Sequence, residues 1–287
     1  MNISLPAVVI TGVSSGLGLA TARAFLERSY RVFGSVRTPA DAARLQAELG
    51  DNFTPLLFDV TDGPAVAHAA AEVARQLAGE PLRGLINNAG IAFGGPLLYQ
   101  PMEVVRQHFE VNVLGLVQVS QAFLPLLGAR PNFTGRPGRL INIGSVSGQV
   151  ASPFMGAYVG TKFALEGLNA TLRRELQLFG VPVVLIGLGV TKTPIWDKGI
   201  DLEPYRDTPY HGPAQRFATF VNRTREQGLA PEYVAGRLVS ILETPRPKLR
   251  YSIAPDLVRS WLVPKLIPDR LFDWMLGKGI GLLPPKK

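Results

Sequence analysis

The chain has 287 residues, 46% of them hydrophobic and 18% charged, a balance that can bury a sizeable core. It contains no cysteine, which excludes disulfides, thiolate metal sites and cysteine nucleophiles, and its three histidines (His68, His108, His211) stand in no metal-ligand spacing. The net charge of +8 is spread along the chain, with no basic run longer than Lys286-Lys287, which argues against a nucleic-acid stripe; a phosphate-bearing ligand needs only a few well-placed cations.

The N-terminal residues lack a basic segment followed by an apolar one, so no secretory signal is expected. The longest apolar run, Val183 to Val190, is too short to span a bilayer. A cytoplasmic protein is the expectation.

In chain order, Ala7 to Ile10 is apolar and β-branched and reads as a strand, followed by a glycine-rich turn and a helix over Leu17–Ser29. Arg31–Val36 is a strand, and Pro39–Leu49 a helix that Thr38 caps, with proline at its first position. Phe53–Phe58 reads as a strand, Pro64–Leu77 as a helix, Gly84–Asn87 as a strand and Pro101–Leu127 as one long helix. Gly128–Gly138 is a Gly/Pro-rich surface loop. Then come a strand (Arg139–Ile143), a helix (Tyr158–Phe179) and a strand (Val181–Ile186). Thr191–Leu229 is irregular, polar and aromatic; a helix (Pro231–Leu242), a last strand (Leu249–Ile253) and an apolar tail follow. Buried-type strands alternating with helices predict a doubly wound parallel α/β sheet, a Rossmann fold, in a single domain over residues 1–287. Residues 191–230 form its substrate lid and 255–287 its apolar tail.

The turn after the first strand reads Thr11-Gly12-Val13-Ser14-Ser15-Gly16-Leu17-Gly18. Glycine suits such a turn because the backbone must take positive φ and approach a pyrophosphate closely, with the free N–H groups of the next helix facing the anion. The spacing is not G-x-G-x-x-G, and a ligand-free βα turn remains the alternative. The second strand ends in Ser35-Val36-Arg37-Thr38, with no acid before Asp41. An acid there would accept from ribose hydroxyls, whereas Arg37 suits a 2′-phosphate, so NADP(H) is favoured over NAD(H); a solvated surface arginine is the alternative.

Tyr158 and Lys162 lie four apart, on one face of a helix. An ammonium beside a phenol favours the phenolate and is expected to lower its pKa into a useful acid/base range. Ser145 follows a strand, where its hydroxyl faces the ligand crevice, and can stabilise developing charge on a substrate oxygen. Asn112 sits inside the long helix, a poor place for a polar side chain without a partner. Each feature alone has a plainer reading, as a surface pair, a helix cap or a buried structural amide.

Taken together, TGVSSGLG, Asp59 in FDV, NNAG (Asn87–Gly90), Asn112, Ser145 and YVGTK resemble the short-chain dehydrogenase/reductase family over roughly residues 5–195, and the chain as a whole is similar to its hydroxysteroid and retinol dehydrogenase branch. The resemblance implies catalytic Asn112, Ser145, Tyr158 and Lys162, with Tyr158 exchanging the proton. It implies a cofactor held by Gly12, Ser14, Ser15, Gly16, Leu17, Gly18, Arg37, Asp59, Val60, Asn88, Gly90, Tyr158, Lys162, Gly189, Thr191 and Thr193. Asp59 would bond the adenine with Val60 against it, and Asn112 would hold a water relaying protons to Lys162. The family's usual Pro-Gly pair is Leu188-Gly189 here, which puts the stiffness of that wall in doubt.

The lid and its neighbouring loops carry Phe93, Val146, Phe154, Met155, Ile195 and Trp196. They suit a hydrophobic ketone or secondary alcohol, although any of them could be lid core. A non-catalytic NADP-binding sensor or scaffold on the same fold is the competing reading. The tail from Leu257 to Leu283 would cap the substrate site, pack on a second subunit or rest on a membrane interface, in that order. The resemblance implies a homodimer or homotetramer through the helices 101–127 and 158–179.

Overall fold

A computed structural model describes residues 5–196, 201–256 and 258–284. Seven parallel strands form one sheet in the order β3-β2-β1-β4-β5-β6-β7: β1 (Ala7–Ile10), β2 (Arg31–Val36), β3 (Phe53–Leu57), β4 (Gly84–Asn87), β5 (Arg139–Ile143), β6 (Val183–Leu188) and β7 (Arg250–Ile253). Pro55 cannot donate to a ladder, and it lies in the edge strand β3, where one side needs no donor.

Strand residues alternate between two cores. Val8, Ile10, Ile86, Ile141, Val184 and Ile186 face one layer, made by α1 (Gly16–Glu27), α2 (Pro39–Leu49) and α8 (Pro231–Glu243). Ala7, Val9, Leu85, Leu140 and Val183 face the other, with α3 (Gly63–Leu77) and α5 (Gly115–Phe123). Burial on both faces is why these strands read as continuous apolar runs in the sequence.

Thr38 caps α2 as expected, its side chain accepting from Asp41 N–H, with Pro39 in the first turn. The expected long helix over 101–127 is one continuous helical run, Met102–Leu127, whose winding changes along its length. After α4 (Met102–Phe109), residues Glu110–Leu114 form a π-turn, then come α5 and a 3₁₀ turn, Leu124–Leu127. The π-turn coincides with Asn112, whose side chain exchanges hydrogen bonds with the Ile91 backbone (N–H to Oδ1, 2.8 Å; Nδ2–H to O, 2.9 Å). Residues 102–127 are long and apolar enough to cross a membrane, but half of that stretch is buried against this fold.

The helix after β5 is α6 (Gly156–Glu175), which ends in a 3₁₀ turn at Leu176–Phe179. The stretch 191–229 is less irregular than its composition suggests, since α7 (His211–Glu226) is a 16-residue helix. Gly212 and Pro213 occupy its first turn, where a missing N–H costs nothing. The tail holds α9 (Val263–Leu266) and α10 (Asp269–Ile280).

One buried cation ties the sheet to a helix end. Arg139 is 4% exposed and donates to the carbonyls of Ile241, Leu242 (2.9 Å) and Thr244 (2.8 Å) at the C-terminus of α8. Those carbonyls have no intrahelical donors, and the helix dipole favours positive charge there.

Candidate active site

The ends of β1, β4, β5 and β6 open onto one cleft of about 770 Å³. It is lined by Gly12, Ser14, Ser15, Gly16, Leu17 and Gly18 on one side and by Ser145, Tyr158 and Lys162 on another. Strand order reverses between β1 and β4, and a crevice at such a point is where open α/β sheets take ligands.

The glycine turn is shaped by close approach. Gly16 has φ +56°, and a Cβ on Gly18 would collide with the Gly12 carbonyl and lie 2.7 Å from Asn88 Nδ2. Gly12 N–H donates to Ser35 Oγ (2.9 Å), and Arg44 donates to the Ser14 carbonyl (2.9 Å). Opposite it, Thr11 Oγ1 accepts from the N–H groups of both Asn88 and Ala89 at 2.9 Å, and Asn88 Nδ2 returns bonds to the Thr11 and Gly12 carbonyls. The bare backbone and the start of α1 offer N–H groups to an anion, so the turn fits the pyrophosphate of a dinucleotide.

Arg37, Asp59, Val60, Gly90, Gly189, Thr191 and Thr193 also line the cleft. Arg37 is three-quarters exposed, and its guanidinium is 4.0 Å from Asp59. Asp59 Oδ1 also accepts from the N–H and hydroxyl of Thr61. The wall at Gly187-Leu188-Gly189 is held without proline: Leu188 pairs with Ile253, and Gly189 N–H donates to the Ile253 carbonyl at 2.8 Å.

Tyr158 and Lys162, each 8% exposed, lie on the cleft-facing side of α6. Lys162 Nζ donates to the Ile143 carbonyl at the end of β5 (3.0 Å) and sits 5.6 Å from the Tyr158 ring centroid. Ser145 Oγ accepts from Ser147 N–H (3.0 Å) and donates to the Leu188 carbonyl (3.3 Å). Asn112 is buried and absent from the cleft wall. It joins the β4 loop to α6 by donating to Thr161 Oγ1 at 3.1 Å.

The expected lowering of the phenol by the lysine is not what this environment produces. Burial raises the Tyr158 pKa above the ordinary phenol value, and hydrogen bonding with Ser145 opposes the rise. Burial likewise lowers Lys162 to about 8. Desolvation penalises the charged form of each side chain, and the lysine is turned to a backbone carbonyl rather than to the phenolic oxygen.

Of the expected substrate residues, Phe93, Val146 and Ile195 line the cleft. Phe154 and Met155 are not among the lining residues; they are buried behind the cleft wall in a cluster that holds Tyr158 and Phe217 and packs against Ile195, the Phe154 and Phe217 rings 5.5 Å apart. Their apolar character made them resemble pocket wall in the sequence, but Phe217 of α7 packs on them as core. The side chain of Trp196 lies outside the described residues. Sequence reasoning also missed three residues that support the site. Thr11 and Ser35 stitch the glycine turn. His108 is fully buried and neutral, accepts from Phe93 N–H at 3.0 Å and so fixes that loop. A threonine closing β1 was a readable signal; the partner of His108 was not.

The lysine's burial has a measurable consequence. Folded Lys162 is neutral above about pH 8, whereas in the unfolded chain it keeps its proton up to about 10.4. The unfolded state therefore binds more protons across that interval, and stability rises with pH; the raised pKa of Tyr158 acts in the opposite sense only above about pH 10. Relative to Lys162→Met, the wild type without added nucleotide is expected to gain about 2 kcal/mol of unfolding free energy between about pH 7 and 10. Urea unfolding of both proteins across that range checks this, and parallel pH profiles would contradict it.

A family model described as short chain dehydrogenase matches residues 6–201. The chain is 39% identical over 276 residues to the NADPH-dependent 3-dehydrocapnine reductase of Ornithobacterium rhinotracheale, covering 96% of this chain and 97% of that one. It is 32% identical over 300 residues to retinol dehydrogenase 5 of Homo sapiens, covering 96% and 91%. Among solved structures, a short-chain dehydrogenase from Streptomyces avermitilis superposes with a TM-score of 0.77 at 28% identity, covering 96% of this chain and 97% of that one. The matched stretch runs from β1 to the beginning of the lid and carries both the glycine turn and the tyrosine–lysine pair: the chain belongs to the short-chain dehydrogenase family.

Proposed function

We propose that the protein is an NADP-dependent oxidoreductase that interconverts a hydrophobic ketone and its secondary alcohol, with Tyr158 as the general acid/base. The observation that carries this reading is the sharing of one cleft by the glycine turn and by Ser145, Tyr158 and Lys162. When bound, the dinucleotide supplies or accepts the hydride. The chain's own residues hold the substrate oxygen and manage its proton. Ser145 Oγ and Tyr158 Oη donate to that oxygen, and Tyr158 gives up its proton as negative charge develops there in reduction. Lys162, anchored on the Ile143 carbonyl and cationic below about pH 8, carries the positive charge that steadies the phenolate. Asn112 positions α6 against the β4 loop rather than touching substrate.

Two observations support the 2′-phosphate form of the cofactor. Arg37 lies at the cleft edge at the end of β2, where no acid precedes Asp41. The relative at 39% identity is described as NADPH-dependent. A ketone is supported by the wall beside Ser145 and the β4 and β6 turns, which is built from Phe93, Val146, Leu188 and Ile195. Self-association is supported by the exposed side chains of Phe109, Leu114 and Phe163 along the α4–α5 run and α6.

Tyr158→Phe is expected to lower kcat by about 10²–10⁴-fold on a ketone panel while NADPH affinity changes less than about twofold. Retained turnover would remove Tyr158 from the chemistry, and a wild type that binds NADPH but reduces nothing would make the protein a sensor. Arg37→Gln is expected to weaken NADPH by about 10–100-fold and leave NADH within about twofold. An equal loss for both nucleotides, measured as KM ratios, would refute the assignment of Arg37 to the 2′-phosphate.

A further inference from the structure

The last helix is apolar on two sides. In α10, the half-buried Phe272, Leu276 and Ile280 recur every four residues. This side docks on the lid: Ile280 packs on the cluster containing Phe217, and Arg216 Nε donates to the Ile280 carbonyl at 2.9 Å. The opposite side carries Leu271, Trp274 and Met275, each 48–49% exposed, with Lys278 one turn further on and its ammonium 5.1 Å from the Trp274 ring centroid. A surface helix ordinarily keeps that side polar. Just upstream, Leu262, Val263 and Leu266 are exposed as well, Leu266 at 73%. Among the described residues, nine exposed large hydrophobic side chains fall within 258–284, a density that scattered surface residues do not reach.

The same segment is basic. Residues 258–284 contain four basic and two acidic side chains, and Lys286 and Lys287 follow in the sequence. It is also tied to both sides of the cleft. Trp261 Nε1 donates to Gln149 Oε1 (2.7 Å), and Lys265 Nζ donates to the same oxygen (3.0 Å), four residues beyond Ser145. At its other end, α10 sits on the lid helix α7.

We propose that residues 258–284 form a docking surface for an anionic lipid bilayer, with Leu266, Leu271, Trp274 and Met275 entering the headgroup–acyl boundary and the basic side chains meeting lipid phosphates. A bilayer supplies both chemistries this surface presents, an apolar layer beneath a negative one. A second copy suits it less well, because two-fold pairing of the patch would set its excess positive charge against itself. Phe109, Leu114 and Phe163 already give self-association a separate apolar face. Docking would set the lid and the Ser145 turn at the membrane surface, so a hydrophobic ketone would enter from lipid. That last step rests on the proposed function, while the docking does not.

Sedimentation of the full-length protein with vesicles tests the docking. The protein is expected to pellet with phosphatidylglycerol/phosphatidylcholine vesicles, to pellet weakly with phosphatidylcholine alone, and to be released in part by about 0.5 M salt. Leu271→Ser/Trp274→Ser/Met275→Ser is expected to reduce binding to both vesicles at least about tenfold. Arg270→Gln and Lys278→Gln should each reduce binding about fivefold, on anionic vesicles only. Turnover of a water-soluble ketone, or NADPH binding if none is turned over, verifies that the variants are folded. Wild type remaining in the supernatant with both vesicles overturns the proposal. So does a triple variant that binds lipid normally but dissociates an oligomer in sedimentation velocity, which would assign the face to a second copy. Vesicle binding with no ketone turnover would uphold the docking and sink the proposed function.

Discussion

The site depends on a hydroxyl at the place where the sheet changes direction. From β1 the chain builds outward to β2 and β3, then returns to lay β4 on the other side of β1, so the connections after β1 and β4 leave the sheet side by side. Beyond the last ladder bond, Thr11 N–H to the Ile86 carbonyl, a side-chain link joins the two turns. Thr11 supplies it by accepting from two N–H groups of the β4 turn, while Asn88 bonds back to the carbonyls of Thr11 and Gly12. Buried backbone groups must find partners, and here the partners also fix the cleft floor against which α1 opens its free N–H groups. Next to it, Asn87 donates to Asn142 and Ser120, and Asn142 to Asn169, a polar chain that sets β4, β5 and α6 in register. The positions of Tyr158 and Lys162 follow from that register, since α6 carries both.

Much of this was legible in the sequence because the signals are local. Apolar runs such as AVVI and VVLIGL are short, β-branched and bounded by glycine or proline, so strand and sheet class follow from them. Thr38-Pro39 marks a helix start in two residues. The glycine turn and the Tyr158–Lys162 spacing likewise need no knowledge of distant chain. Where the reading failed, the deciding partner was far away in sequence. The π-turn at 110–114 accompanies a bond from Ile91 N–H to Asn112 Oδ1, and α7 is stabilised through contacts of Phe217 with Phe154. Phe154 and Met155 had the composition of pocket wall, and only the fold reveals that they pack with Phe217 of α7 as core. The direction of the phenol's shift was misread for a related reason: spacing gives proximity to a cation but not the degree of burial, and burial wins.

The buried pair has a consistent chemical logic. Burial holds the phenol protonated and lowers the lysine only to about 8, so near neutral pH the phenol keeps its proton beside an amine that still carries most of its charge. Lys162 is fixed by a β5 carbonyl rather than by a carboxylate, so no permanent counter-charge competes for it. The cleft wall near the pair includes the apolar side chains of Phe93, Val146 and Ile195. Beyond it, the lid and tail extend the same apolar character to the outer surface through Phe217, Ile280 and α10.

The central claim is that one cleft holds both the dinucleotide and the reacting oxygen. A crystal structure of the protein with NADP and a ketone or alcohol ligand tests it most directly. The account predicts phosphates against the amides of residues 12–18 and the ligand oxygen within hydrogen-bond reach of Tyr158 Oη and Ser145 Oγ. A dinucleotide seated away from the glycine turn, or a ligand oxygen out of reach of the phenol, would contradict it.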